Sequence, residues 1–185
     1  MTRRTDRTSR FLSYVLRHRP ERLGLELDAA GWVRVDELLA ACRRHDRPIS
    51  RAELEEVVRT SDKRRFSLSR DGLNIRANQG HSVSVDLGLE PLAPPERLYH
   101  GTVARFLDSI RREGLVRGRR HHVHLSADRP TARRVGRRRG APVVLVVESG
   151  RMHRAGHVFF RSANGVWLTE AVPPEYLRFP EGPSR

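Results

Sequence analysis

The stretch Phe66-Ser67-Leu68-Ser69-Arg70-Asp71-Gly72-Leu73-Asn74-Ile75-Arg76-Ala77-Asn78-Gln79-Gly80-His81-Ser82 decides how the first half of this chain folds. Phe66 and Leu68 alternate with polar residues, Asp71-Gly72 supplies a hairpin turn, and Leu73 and Ile75 alternate on the return strand. Strand parity then has a chemical consequence. If Leu73 and Ile75 face a core, Asn74 and Arg76 face away from it, and Arg76 is open to a ligand. Beyond the strand, Ile75 to Ser82 gathers a cation, two amides, a glycine and an imidazole. A polar loop after a strand is the plain reading of such a segment; a binding loop is the functional one.

Upstream, Phe11, Leu12, Val15 and Leu16 share one helical stripe that Pro20 ends, so Arg17 and His18 sit at the C-terminal end of a first helix. The helix dipole alone favours cations there. A short connection carries Trp32, Val33 and Val35. Asp36 is then the expected N-cap of a helix burying Leu38, Leu39 and Cys42. Ser50 and Glu53 have capping-box spacing and open a third helix with Leu54, Val57 and Val58 inside. Three helices followed by a hairpin is the pattern of a winged helix. The Lys63-Arg64-Arg65 run before the hairpin reads as a solvated face that is also able to track a nucleic-acid backbone.

Downstream, residues 86–96 hold three prolines and no clean periodicity, which marks a linker between a lobe over 9–85 and another over 97–185. Leu98-Tyr99 reads as a strand running into His100-Gly101-Thr102, and a helix follows with Val103, Phe106, Leu107 and Ile110 on its buried side. In Arg119 to Ser126, a strand would place His122, His124 and Ser126 on one face. A short helix over about Arg129–Val135 precedes the basic run Arg137-Arg138-Arg139. Val143 to Val147 reads as a strand covered on both faces. Strands near Val158–Phe160 and Val166–Leu168, joined by a turn at Asn164-Gly165, complete a β-rich α+β lobe.

The 185 residues carry 36 Lys and Arg against 22 Asp and Glu, a net charge of +14 that favours polyanionic partners and salt-sensitive binding. Lys63 is the one lysine, so the excess is guanidinium, whose planar fork suits bidentate phosphate contacts. Cys42, the sole cysteine, excludes an intramolecular disulfide and a cysteine-based zinc cluster. His121, His122 and His124 cluster without an evident third ligand beside the same-face pair, so no metal is expected. Walker, Rossmann and nucleophile-elbow signatures are absent. With no signal peptide and no apolar run approaching a membrane span, a cytoplasmic protein is expected.

Six stretches, in order across about residues 9–180, resemble the motifs of the RNA 2′-phosphotransferase family. They are Leu16-Arg17-His18 before Pro20, Ile75 to Ser82, Tyr99-His100-Gly101-Thr102, His122-Val123-His124-Leu125-Ser126, Val135-Gly136-x-Arg138-x-Gly140-x-Pro142, and Asn164-Gly165-Val166-Trp167-Leu168-Thr169. Residues 1–8 lie outside the match and are expected as a mobile tail.

The resemblance implies a winged-helix-like RNA-binding lobe joined to an NAD-binding lobe of the ADP-ribosyltransferase fold. It implies catalytic roles for Arg17, His18, Arg76 and Arg138, the last subject to a one-residue slip to Arg137 or Arg139. His100, Gly101, Thr102, His124, Ser126 and Val166 would contact NAD, which is consumed as co-substrate. The implied reaction transfers an internal RNA 2′-phosphate to NAD through an RNA-2′-phospho-ADP-ribose intermediate, as in tRNA splicing. Its products are 2′-hydroxyl RNA, nicotinamide and ADP-ribose 1″,2″-cyclic phosphate. The expected partner is a 2′-phosphorylated RNA, tRNA among the candidates, and a monomer is favoured. Other readings are a nucleic-acid or protein ADP-ribosyltransferase and a non-enzymatic winged-helix DNA-binding protein.

Overall fold

The computed structural model describes residues 3–61 and 64–180 and divides the chain into two units, Met1–Gly88 and Leu89–Arg185. Each has its own apolar core, and both mix helix with sheet, as an α+β protein should.

In the first unit α1 spans Arg3–His18 and buries Leu12, Val15 and Leu16, as the stripe requires. A fully buried leucine contributes on the order of 2 kcal/mol, so this stripe is enough to seat the helix. The expected tail over residues 1–8 is helical from Arg3. Ion pairing and burial hold it: Arg4 pairs with Glu53 at 2.8 Å, Thr8 Oγ1 donates to the same carboxylate at 2.9 Å, and Thr5 is buried. Met1 and Thr2 lie outside the described residues, as does Lys63 of the Lys63-Arg64-Arg65 run.

The expected connection at Trp32 contains a strand, β1 (Trp32–Arg34), too short for alternation to reveal it. Next come α2 (Val35–Arg44), α3 (Arg51–Thr60), β2 (Phe66–Leu68) and β3 (Asn74–Ala77), with the strands ordered β1-β3-β2 and antiparallel throughout. Asp36 is not the cap of α2. The helix starts at Val35, with Arg34 at the cap position, and Asp36 pairs with Arg34 at 2.6 Å while accepting from the Glu37 amide. Ser50 does cap α3, accepting from the Glu53 amide at 3.1 Å. Half of the capping box forms, because the Glu53 carboxylate turns to Arg4 and Thr8. The hydrogen bond from Arg4 holds that carboxyl below the usual range.

Leu73 also departs from expectation. It lies in the turn, 48% exposed, and its carbonyl accepts from the Val35 amide, so Ile75 alone of the two faces the core. Parity still holds along β3, where Ile75 and Ala77 are buried and Asn74 and Arg76 half-buried. Cys42 is a core residue whose thiol burial pushes up to about 11, which leaves it chemically inert near neutral pH.

The second unit runs β4 (Leu98–Val103), α4 (Leu107–Glu113), β5 (Leu115–Val116), β6 (Val123–Leu125), α5 (Arg129–Gly136), β7 (Pro142–Val147), α6 (Ser149–Arg154), β8 (Phe160–Arg161), β9 (Trp167–Thr169), β10 (Ala171–Val172) and β11 (Leu177–Arg178). Its two three-stranded sheets, β11-β7-β4 and β6-β9-β8, meet where Tyr99 and Ser126 exchange backbone hydrogen bonds of 2.9 and 2.8 Å. Register pairs His100 with Leu145 and Gly101 with Val144. Paired residues share a face. Leu98, His100 and Thr102 therefore lie on the side of Leu145 and Val147, while Tyr99, Gly101 and Val103 lie on the other.

That other face carries α5, at unusually short range. A Cβ on Gly101 would meet the Ala132 carbonyl oxygen at 1.8 Å, and one on Gly136 would meet the Thr102 oxygen at 2.9 Å. Both obstacles are backbone and cannot rotate away. Gly101→Ala should therefore destabilise the protein by about 3 kcal/mol or more, the upper range for overpacking. Thermal unfolding of the variant checks this, and an unchanged Tm would mean that α5 does not sit this close.

Candidate active site

Within the first unit, the end of α1 is tied to the loop that leaves β3. The Ser82 and Val83 amides donate to the Arg17 carbonyl at 2.9 and 3.4 Å, and Ser82 Oγ meets His18 Nδ1 at 2.9 Å. Arg17 Nη2 donates to the Arg65 carbonyl at 3.4 Å, which also accepts the Asn78 amide at 2.9 Å. The Arg17 side chain thus reaches the end of the strand that bears Arg76. Asn78 acts as a fastener: its amide donates to the Arg64 carbonyl at 2.6 Å and its oxygen accepts from Ser67 at 2.7 Å. His81, at 2% exposure, packs beside Gly31, whose φ of +80° is the feature that calls for glycine there.

Arg76 is braced and incompletely satisfied. Its guanidinium carbon lies 4.6 Å from the centroid of the Trp32 ring, its cross-strand partner, and Nη1 donates to the Ala30 carbonyl at 3.4 Å. Its Nε is buried and has no hydrogen-bond partner among the described residues. No carboxylate pairs with it there either. A buried guanidinium nitrogen left in this condition costs energy until an acceptor arrives. The geometry accordingly favours an anionic ligand with several oxygens.

In the second unit the Tyr99–Ser126 bridge sets β4 beside β6, and His100 Nδ1 comes within 3.2 Å of the His124 carbonyl oxygen. Arg120 Nη1 lies 3.3 Å from His124 Nδ1. Burial pulls the His100 ring below its ordinary 6.5; the bond to His124 opposes this and the charge of Arg139 adds to it. Arg120 is likewise lowered, first by partial burial of its guanidinium and then by Arg139. His100, His124, Arg120 and Arg139 thus form one electropositive cluster. Arg120 was not among the residues that the sequence pointed to.

The other sequence candidates occupy distinct places. Thr102 is buried on the His100 face, whereas Gly101 supports the approach of α5. Ser126 fixes the strand junction through its backbone. Val166 closes a turn, its carbonyl accepting from the Ser162 amide at 2.9 Å. Arg138 lies exposed on the helical turn Arg137–Arg139 and makes no ion pair or ring contact among the described residues. Arg139, its neighbour, stacks over Phe106 at 5.7 Å and is the arginine whose charge reaches His100. His122 packs edge-on against Phe160 at 5.4 Å. Among the described residues, no group of three or more His, Cys, Asp or Glu could hold a metal ion.

Burial also lowers His122, with His121 and Arg117 adding to the effect and Glu170 opposing it. When a folded-state pKa lies below the unfolded value, the unfolded chain binds more protons in the window between them, so stability rises with pH there. For His100 and His122 this stability is lost as pH falls through 6.5 toward their folded values. Melting curves from about pH 7.5 to about 5 should show Tm falling. Ring titrations by NMR should place both midpoints below 6.5; midpoints at or above it would contradict the burial described.

Comparison with known proteins extends the resemblance to residue 3, inside the stretch 1–8 expected to lie outside it. The family model described as RNA 2′-phosphotransferase, Tpt1/KptA family, matches residues 3–171. A protein of Streptomyces griseus named as a probable RNA 2′-phosphotransferase is 61% identical over 182 residues, covering 95% of this chain and 96% of its own. Proteins of the same description from Pseudomonas aeruginosa and Nostoc punctiforme are 57% and 55% identical, covering 96% and 92% of this chain and 99% and 94% of theirs. Both clusters fall inside the matched span, and the chain belongs to the RNA 2′-phosphotransferase family.

Proposed function

We propose that this protein removes an internal 2′-phosphate from RNA by transferring it to NAD. The single observation that carries the reading is Arg76, a guanidinium braced on Trp32 with a buried, unsatisfied Nε and no carboxylate to neutralise it among the described residues. A phosphate monoester offers nearly two negative charges and several acceptors.

In this reading Arg17 and Arg76 bind phosphate oxygens, and His18, oriented by Ser82, moves a proton near neutral pH. The first unit is winged-helix-like, with its helices and strands in the order α1-β1-α2-α3-β2-β3. The second is an ADP-ribosyltransferase-like lobe. NAD suits the donors there: a largely neutral His100 for an uncharged portion, the Thr102 and Ser126 hydroxyls for ribose or amide groups, and a guanidinium for a phosphate. We assign that guanidinium to Arg120, whose side chain meets His124, and leave Arg138 with the RNA 2′-phosphate.

The chemistry balances in two displacements. A 2′-phosphate oxygen attacks the ribose carbon that bears nicotinamide, nicotinamide leaves, and RNA is joined to ADP-ribose through the phosphate. The neighbouring ribose hydroxyl then attacks phosphorus, and the RNA 2′-oxygen leaves with a proton. The products are 2′-hydroxyl RNA and ADP-ribose 1″,2″-cyclic phosphate. Positioning and charge stabilisation supply most of the acceleration, and no metal is required.

A role as a groove-reading DNA binder is disfavoured by α3, whose Arg51 and Arg59 are paired to Glu55 and Glu56 and whose Glu53 holds Arg4. No helix among the described residues is long and apolar enough to cross a membrane. We place the protein in the cytoplasm as a monomer, with tRNA the leading class of substrate.

An RNA oligonucleotide with one internal 2′-phosphate, followed with and without NAD and without added metal, tests the reading. NAD-dependent formation of a 2′-hydroxyl and the cyclic phosphate is expected. A stable ADP-ribosyl adduct, or no NAD-dependent change, would overturn it.

Two sets of variants test the residue roles. Arg120→Ala should lower turnover by about 100-fold or more, the loss typical of a deleted charge-stabilising donor; unchanged turnover would remove Arg120 from the site. His18→Ala should slow release of RNA from the ADP-ribosylated intermediate more than release of nicotinamide, and equal losses would refute a role confined to the second displacement.

A further inference from the structure

We propose that α5 and the turn after it form a docking track for the RNA backbone, an extension that rests on the reading above. Between Asp128 and Gly140 the chain carries six arginines, Arg129, Arg133, Arg134, Arg137, Arg138 and Arg139, and no acidic residue after Asp128. Packing sets their direction. Ala132 and Gly136 are buried against β4, which turns Arg133 and Arg134 to solvent.

Four exposed arginines elsewhere in this unit have carboxylate partners: Arg111 with Asp108, Arg151 and Arg178 with Glu148, and Arg154 with Glu96. The ridge is the densest run of arginines in the chain and has no such relief. Among the described residues none of its arginines forms an ion pair. Asp128, the one carboxylate at hand, is engaged as the cap of α5, accepting from the Thr131 amide at 2.7 Å and the Thr131 hydroxyl at 3.0 Å. Like charges at helical spacing repel, so the folded protein carries an electrostatic cost here that a polyanion would relieve.

Membership of an RNA 2′-phosphotransferase family names the polyanion. Arg129 lies over the Tyr99 ring at 5.3 Å, and at the other end Arg139 bears electrostatically on His100 and Arg120, so the ridge flanks the strand that carries the second unit's electropositive cluster. Its eight helical residues span about 12 Å, roughly three nucleotide steps of a strand. Guanidiniums on such a surface bind phosphates without reading bases, so the track fixes register and leaves sequence open. The acidic α3 offers no comparable surface.

The test uses the full chain and the double variant Arg133→Gln/Arg134→Gln, with an unphosphorylated single-stranded oligonucleotide of about twenty nucleotides as the probe, followed by fluorescence anisotropy across a salt series. Each lost phosphate contact removes about 0.7 from the salt slope, so the variant's slope should be shallower by about 1.4. Between about 50 and about 200 mM salt the unmodified protein should then lose about sevenfold more affinity than the variant. Arg133→Lys/Arg134→Lys should keep the original slope, because charge is the requirement.

With 2′-phosphorylated substrates, KM of the glutamine variant should rise for the long oligonucleotide and stay unchanged for a trinucleotide. An unaltered salt slope would overturn the track, and so would an equal KM change on both lengths. Loss of slope in a protein that turns over no 2′-phosphate would uphold the track and refute the proposed activity.

Discussion

Backbone lies against backbone where α5 crosses β4, and much of the second unit's chemistry depends on it. Gly101 and Gly136 allow the approach, since a methyl group on either would collide with main chain. With α5 occupying the face of Tyr99, Gly101 and Val103, His100 and Thr102 are left to the opposite face, where His100 reaches the His124 carbonyl. The same crossing delivers the turn Arg137–Arg139 beside that histidine pair. One pair of missing side chains thus sets both the burial of an imidazole and the position of a cationic ridge.

In the first unit a polar clasp plays the corresponding part. The last turn of α1 exposes carbonyls that its own helix cannot satisfy, and the amides of Ser82 and Val83 supply donors to the one at Arg17. Closing the helix in this way brings His18 against Ser82 and carries the loop past Arg65, where Arg17 and Asn78 share one carbonyl oxygen. Asn78 is therefore structural in service. It holds the strand end beside Arg17 and Arg76.

Legibility in the sequence followed the length of each pattern. The stripe Leu12, Val15 and Leu16, the Ser50 cap, the hairpin turn at Asp71-Gly72 and the apolar run of β7 each repeat a signal over several residues, and each was readable. The strand at Trp32 spans three residues, fewer than alternation needs, and was taken for a connection. Leu73 was assigned inward because the return strand was read as starting one residue too early. Motif resemblance pointed to Arg17, His18, Arg76, His100 and His124 as candidates, but not to the residues they contact. Arg120 escaped because β6 begins at Val123, so strand parity does not extend to it; its contact with His124 arises in the preceding bend. Adjacent arginines look alike in sequence, and only stacking and electrostatics separate Arg139 from Arg138.

The stacking of Arg76 on Trp32 has an optical consequence. The chain has two tryptophans, and the other, Trp167, is buried in the second unit. Emission from Trp32 therefore reports on a ring whose face is covered by the Arg76 guanidinium. Any ligand that draws Arg76 away from the indole, or presses it closer, alters the polarity and quenching felt by that ring. The protein has a fluorescent indicator built into its own β-sheet.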